Sequence, residues 1–173
     1  MKSKNIIILD TETTGLNPAV DEILELSIIN TKGEKILDEY YKPVKCTSWP
    51  GAEAVHHISP ADVEKKNPIL FDKQLIEYYI NSADMIIGYN VNYDLNMIKA
   101  AGIYVDASIK VVDLMPIFAE IYGEWNDYYQ SYKFKSLSVC ADYYGYEWVG
   151  KPHCSLSDCY ATLFVAKKMM EDL

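Results

Sequence analysis

The sequence predicts an α/β fold: a mixed five-stranded sheet, built from a three-stranded antiparallel meander plus parallel strands, flanked by helices. Three observations predict it. Within the first 41 residues, three extended apolar segments follow one another with only short turns between them. Further on, strand-like runs alternate with segments whose apolar residues recur every three or four positions. The chain then closes with two helical patterns in succession. At 173 residues and 50% apolar composition, one domain over residues 1–173 is the simplest organisation, large enough for a real core.

Residues 5–9 form a short run, apolar on both faces once Asn5 is passed, which is how a central strand reads. Residues 23–30 give a second strand and 34–41 a third, with Thr31-Lys32-Gly33 as the turn between them. Phe71, Leu75, Tyr79 and Ile80 then recur at helical spacing. Residues 85–89 are strand-like, and 93–101 are helical until Gly102 stops them. Residues 110–114 make the fifth strand. Helices follow at 135–144 and 155–170, the second with Leu156, Cys159, Leu163, Ala166 and Met170 along one stripe. No repeat, low-complexity tract or Gly/Ser linker divides the chain.

The formal charge of −9 argues against a protein that coats nucleic acid by bulk attraction. All sixteen basic residues are lysines. A site that handles phosphates must therefore do without bidentate guanidinium clamps and use lysine, backbone amides or metal ions. The four cysteines, Cys46, Cys140, Cys154 and Cys159, contain no C-x-x-C pair and suit a reduced compartment. The apolar stretches are far too short to span a bilayer, and residues 1–5 precede too short an apolar run for a signal peptide. The expectation is a cytoplasmic protein with no membrane partner.

In the stretch Ile8-Leu9-Asp10-Thr11-Glu12-Thr13-Thr14-Gly15-Leu16, two acids separated by one residue follow directly from an apolar strand. Side chains two apart on extended chain share a face, so Asp10 and Glu12 aim at one spot. Asp94 opens the helix after Gly88-Tyr89-Asn90, and Asp158 opens the last helix, five residues beyond His153. Each has an ordinary role available. Asp158 can complete a capping box with Ser155, Asp94 can complement a helix dipole after Asn92, and Glu12 can be a turn acid. Taken jointly these roles are less satisfying, because ligands collect at the carboxyl ends of strands in open α/β sheets. Four carboxylates meeting there would repel one another and raise each other's pKa values. Two divalent cations, roughly 3.5–4 Å apart, would remove the repulsion and clamp the attacking and leaving oxygens of a phosphodiester.

"DTETTGL" at 10–16, "GYNVNYD" at 88–94 and an H-x-x-x-x-D spacing from His153 to Asp158 occur here in that order. Together they resemble the DEDDh group of 3′→5′ exonucleases in the ribonuclease H-like superfamily, among them the proofreading epsilon subunit of bacterial DNA polymerase III. The resemblance runs from about Ile6 to Met169 and includes "AVHHIS" at 54–59 and "VVD" ending at Asp113. It implies that Asp10, Glu12 and Asp158 bind a first Mg²⁺ or Mn²⁺ ion. Asp10 would also touch a second ion, which Asp94 would bind directly or through its waters. His153 would be the general base taking a proton from the attacking water. The backbone near Thr11 and Thr13 would hold the 3′-hydroxyl side, Leu16 would wedge against the last base, and His57 and Ile58 would flank that nucleotide. Asn90 and Tyr93 fall in the same substrate-side motif. Compared with the family, Tyr89 stands where histidine is frequent, Tyr93 where phenylalanine is usual, and His57 where glycine is frequent. The implied partner is the 3′ end of single-stranded nucleic acid, DNA ahead of RNA, with release of nucleoside monophosphates in proofreading or repair. A DNA polymerase is a second expected partner, although the chain ends soon after its last helix and a free-standing nuclease is equally open.

Competing functions are an oligoribonuclease or RNA-trimming exonuclease, and a catalytically silent nucleic-acid-binding module on the same fold. An aspartate-nucleophile phosphatase also carries D-x-D after its first strand, but here the third position is Glu12 and no later adjacent-aspartate pair follows. Asp113 reads as a structural hydrogen-bonding residue. Lys133, Lys135 and Lys151 are candidates to meet phosphate, with solvation as their default, and most of the fifteen tyrosines read as packing. Cys154, Cys159 and His153 fit no usual zinc spacing.

Overall fold

The structure, a computed structural model, describes residues 4–171; Met1-Lys2-Ser3, on which part of the leader reading rests, and residues 172–173 lie outside the described residues. The strands are β1 (Ile6–Thr13), β2 (Ile23–Asn30), β3 (Lys35–Tyr40), β4 (Met85–Gly88) and β5 (Lys110–Asp113), in the sheet order β3-β2-β1-β4-β5. β1 pairs antiparallel with β2, and β2 with β3, while β1–β4 and β4–β5 are parallel. This is the expected mixed sheet with a three-stranded meander on one side.

Helices cover both faces. α1 (Pro50–His56), the short α2 (Pro60–Val63) and α3 (Lys73–Asn81) follow the meander; α4 (Val91–Ala100) follows β4 and α5 (Leu114–Tyr122) follows β5. A two-residue-per-strand hairpin, β6 (Trp125–Asn126) and β7 (Ser131–Tyr132), then leads to α6 (Leu137–Tyr143) and α7 (Ser155–Glu171). Among the described residues, no helix is long and apolar enough to cross a membrane.

The alternation along β1 sorts its side chains between two cores. Ile7 and Leu9 join Leu26 and Ile28 of β2 against Ile76 and Ile80 of α3 and Leu95 and Ile98 of α4. Ile8 faces the other way, with Ile29, onto Cys159 and Leu163 of α7. A third cluster, centred on Phe118, Cys140 and Val165, binds α5 and α6 to α7. Central strands carry apolar residues on both faces because both faces are covered.

Several boundaries differ from the sequence expectation. β1 does not stop at Leu9 but runs to Thr13, because its ladder with β2 continues through Asp10↔Ser27, Thr11↔Leu26 and Glu12↔Glu25. Backbone groups make that ladder whatever the side chains are, so the loss of apolar character did not end the strand. The acids stand inside β1, not beyond its exit. α1 and α5 are additional helices: Pro50 sits at the start of α1 and Pro116 in the first turn of α5, where a missing N–H is tolerated.

Candidate active site

β4 pairs with β1 only from Ile6 to Ile8, so the half of β1 that carries Asp10 and Glu12 has one edge open. The backbone N–H of Thr11, on that open half, donates instead to Asp94 Oδ1 at 2.9 Å, and the Thr11 hydroxyl donates to the same oxygen at 2.7 Å. Asp94 reaches this place from the first turn of α4 and is 4% exposed. A tight reversal brings the helix there. A Cβ at Gly88 would lie 2.6 Å from Val91 Cβ, so glycine lets α4 start directly over the end of β4. Asn90 then takes a left-handed conformation (φ 62°), and its N–H donates to Asp113 Oδ1 at 2.8 Å. Asp113 also accepts from Met115 N as the N-cap of α5, which agrees with its reading as a structural residue.

On the other side, α7 seats Cys159 and Leu163 against β1 and β2 and so holds Asp158, in its first turn, against the same open half. His153, exposed and left-handed at φ 62°, donates its backbone N–H to Asp158 Oδ1 at 3.3 Å. Ser155 is the first residue inside α7, and its hydroxyl lies 2.6 Å from that of Ser27, so it forms no capping box with Asp158. Oxygens of Glu12 and Asp158 and a ring nitrogen of His153 lie within 4.8 Å of one another. Asp10 and Asp94 stand outside that trio, yet Asp10 is close enough for the charges of Asp94, Asp158 and Glu12 to bear on it.

The electrostatics are those of an acid cluster without a counter-charge. Burial, then the neighbouring Asp94, Asp158 and Glu12, lift Asp10 well above the usual carboxylate range. Burial, reinforced by Asp158, Glu25 and Asp94, pushes Glu12 up to about 9. Burial also raises Asp94 and Asp158 to about 7 each, against hydrogen bonds from Thr11 and from His153 that favour their charged forms. Among the described residues, the ion pairs join Lys35 to Asp38, Lys73 to Glu77, Lys133 and Lys135 to Glu124, and Lys168 to Glu171. None of those lysines reaches the cluster. Hard carboxylate oxygens, crowded together and paired with no lysine among the described residues, fit a divalent ion such as Mg²⁺ or Mn²⁺.

A stability prediction arises here. A carboxyl whose folded pKa exceeds its unfolded value leaves the folded state holding more protons between the two, so stability falls as pH rises. Chelator-treated protein is expected to melt at progressively lower temperature from about pH 5, just above ordinary carboxylate values, to pH 9, where Glu12 titrates at about 9. Mn²⁺ should flatten the trend. Melting temperatures across that range, with and without metal, check it; a flat metal-free curve would contradict it.

The substrate-side expectations fall into two groups. The Tyr93 hydroxyl donates to the Gly15 carbonyl at 2.7 Å and lies 2.7 Å from the Thr13 hydroxyl, which is itself 2.8 Å from that carbonyl. These contacts hold the turn that leads into Leu16, which is 84% exposed. Ile58 is buried with Leu24, Trp49 and Val63 in a separate cluster, although it also edges a groove of about 440 Å³ shared with Tyr40, His56, His57, Asp62 and Lys66. His57, left-handed at φ 62°, ends α1, and Asn90 is exposed.

Two residues were missed. His56, not His57, joins α1 to β1: its Nδ1 accepts from Ile58 N at 3.0 Å, which leaves the proton on Nε2, 3.2 Å from the Thr13 carbonyl. Burial lowers its pKa, which favours the neutral ring. Glu25, 1% exposed and paired opposite Glu12, is a fifth acid beside the cluster. The available signal was a single acid inside the apolar run of β2.

Comparison with known proteins gives this geometry a lineage. The PolC-type DNA polymerase III of Thermotoga maritima is 34% identical over 97 residues, covering 54% of this chain and 7% of that protein. The PolC-type enzyme of Caldanaerobacter subterraneus subsp. tengcongensis is 22% identical over 171 residues, 96% of this chain and 12% of its own length. The 3′-5′ exonuclease DinG of Staphylococcus aureus is 29% identical over 119 residues, 64% of this chain and 13% of its own. The chain thus spans roughly a tenth of the curated relatives it matches. Among solved structures, the zinc-bound complex of E. coli exonuclease I with single-stranded DNA superposes with a TM-score of 0.76 at 21% identity, over 99% of this chain and 41% of that one. Exonuclease X in complex with 5′-overhanging duplex DNA gives 0.69 at 20% identity, over 96% and 92%. These likenesses establish the fold, in line with the ribonuclease H-like expectation. With the model of the RNase T exonuclease family matching from residue 7, near the start of β1, to residue 166, well into α7, the chain belongs to that family.

Proposed function

We propose that the protein is a metal-dependent 3′→5′ exonuclease that hydrolyses phosphodiester bonds at the 3′ end of single-stranded nucleic acid, DNA ahead of RNA, and releases nucleoside monophosphates. The observation that carries the reading is the meeting of Glu12, Asp158 and His153 within 4.8 Å at the open half of β1, beside Asp10. Asp10, Glu12, Asp94 and Asp158 are the residues that would hold two divalent cations, Mg²⁺ or Mn²⁺. When bound, these supply positive charge to the scissile phosphate and lower the pKa of the attacking water from 15.7 towards about 7.

The chain's own groups do the rest. His153, with its ring exposed and its backbone tied to Asp158, takes the proton from the attacking water. Thr11 spends its hydroxyl and N–H on Asp94, which fixes that carboxylate in place. Leu16, on a turn locked by Thr13 and Tyr93, projects where the last base unstacks, and its exposure suits an apolar wedge. With no arginine in the chain, phosphate recognition falls to backbone amides, lysines and the ions.

Single-stranded DNA in the E. coli exonuclease I complex favours the same substrate class here. The PolC-type relatives favour proofreading beside a DNA polymerase as the biological setting. Oligonucleotides of DNA and of RNA, labelled at the 5′ end and incubated with Mn²⁺, Mg²⁺ or chelator, test the reading. A ladder shortening one nucleotide at a time from the 3′ end, faster on DNA and absent with chelator, is the expected result. Internal cuts, or no cleavage with either metal, would overturn it.

A further inference from the structure

We propose that Glu25 is a positioning residue of this site: from β2 it caps the start of α7, and so sets where Asp158 and His153 stand relative to Asp10 and Glu12. Its catalytic readout rests on the exonuclease reading above.

A buried acid among other acids is unfavourable unless something compensates it. Glu25 is 1% exposed, its neighbours Leu24 and Leu26 are fully buried apolar residues, and it sits directly across the ladder from Glu12. Packing alone would favour another aliphatic side chain there. The compensation is visible in its contacts. Glu25 Oε2 accepts from Ser155 N at 3.0 Å, the Cys154 thiol lies 3.8 Å from Oε1, and Tyr40 of β3 stands opposite Glu25 in the ladder. With its oxygens committed to protein donors, Glu25 is held as a support and not presented as a ligand.

What it supports is the helix end that carries Asp158 and follows His153. The first N–H groups of a helix have no partner within the helix, and the residue before α7 is Cys154, whose thiol is a poor cap. Glu25 supplies the missing acceptor from a neighbouring strand, with a charge of the sign a helix N-terminus favours. Two residues along the same face of β2, Ser27 Oγ lies 2.6 Å from Ser155 Oγ and donates to Asp38 Oδ1 of β3 at 3.0 Å. The first residue of α7 is thus held by two polar tethers. Asp158 follows Ser155 by three positions, on the same side of the helix, and His153 is linked to Asp158 through its own N–H. A shift of the helix start moves both.

Reach and charge can be separated. Glu25→Gln keeps an oxygen at the length needed by Ser155 N but loses the charge; Glu25→Asp keeps the charge but is one methylene too short. Three measurements on the whole chain read the outcome: exchange of the amides of residues 155–158, Mn²⁺ binding by calorimetry without substrate, and kcat and KM on a single-stranded oligonucleotide. Glu25→Asp is expected to speed exchange at residues 155–158. It should also weaken Mn²⁺ binding and lower kcat by about 10–100-fold, the usual loss when a support of a metal ligand is removed, with KM little changed. Glu25→Gln should stay close to the unaltered protein in all three. The reverse order, with Gln defective and Asp intact, would make Glu25 a charge contributor or ligand and overturn the proposal. So would two variants that both behave like the unaltered protein. If the unaltered protein itself cleaves nothing, the exonuclease reading fails, while the exchange and Mn²⁺ measurements still decide the role of Glu25.

Discussion

Replacing Asp10 by alanine is expected to abolish nuclease activity and at the same time raise the melting temperature of the metal-free protein. The two effects share one cause. In the absence of a cation, Asp10 stands half-buried at the open half of β1, where burial and then Asp94, Asp158 and Glu12 act to raise its pKa. Ionising it therefore opposes folding. A higher melting temperature than that of the unaltered protein is expected at pH 8, the difference shrinking as the pH falls towards 4. Asp10→Asn, which leaves no cavity, should behave alike. With Mn²⁺ present the order reverses, because only the unaltered protein gains from binding. Loss of turnover should exceed about 10³-fold, more than is typical for a single group that stabilises transition-state charge. A metal-free Asp10→Ala protein that melts several degrees lower would make Asp10 a structural residue instead.

Replacing His153 is expected to cut turnover by about 10²–10⁴-fold, the usual contribution of a general base, while leaving Mn²⁺ affinity within a few-fold. The distinction matters because a ring nitrogen of His153 lies within 4.8 Å of oxygens of Glu12 and Asp158, near enough for a ligand as well as a base. A ligand would lose metal affinity on substitution; a base would lose only rate. The backbone complicates an alanine variant, since His153 is left-handed at φ 62°, and asparagine adopts that conformation more readily than most residues. His153→Asn therefore preserves the turn and its N–H to Asp158 while removing the imidazole. Parallel losses of turnover in the Ala and Asn variants, with Mn²⁺ binding kept, support the base. Full turnover in His153→Asn would remove the ring from the mechanism.

How much of this could be read beforehand differs by element. The meander and both parallel strands were legible because apolar runs bounded by turns report directly on burial. The stripe on α7 was legible for the same reason. α5 was not: Pro116 looks like a breaker, yet in a first turn it removes an N–H that had no partner. β1 extends past its apolar run since a ladder needs only backbone, and that extension moved Asp10 and Glu12 from the exit of the strand to its interior. Glu25 was passed over because an acid in the middle of a strand has no local period to mark it. His56 and His57 are adjacent in sequence, and only the direction each takes at the end of α1 shows that His56 is the one facing Thr13.

By itself the sequence determined that Asp10 and Glu12 share a face, since every second side chain of an extended chain points the same way. It likewise settled that the chain carries no arginine to neutralise a phosphate. The tertiary structure alone decided that β4 leaves β1 at Ile8, that Asp94 enters through the opening, and that α7, moored on Glu25 and Ser27, brings Asp158 and His153 to meet Glu12. Strand register and the seat of a helix come from contacts between residues far apart in sequence, such as Ile8 with Ile87 and Glu25 with Ser155, and no local pattern of side chains encodes them.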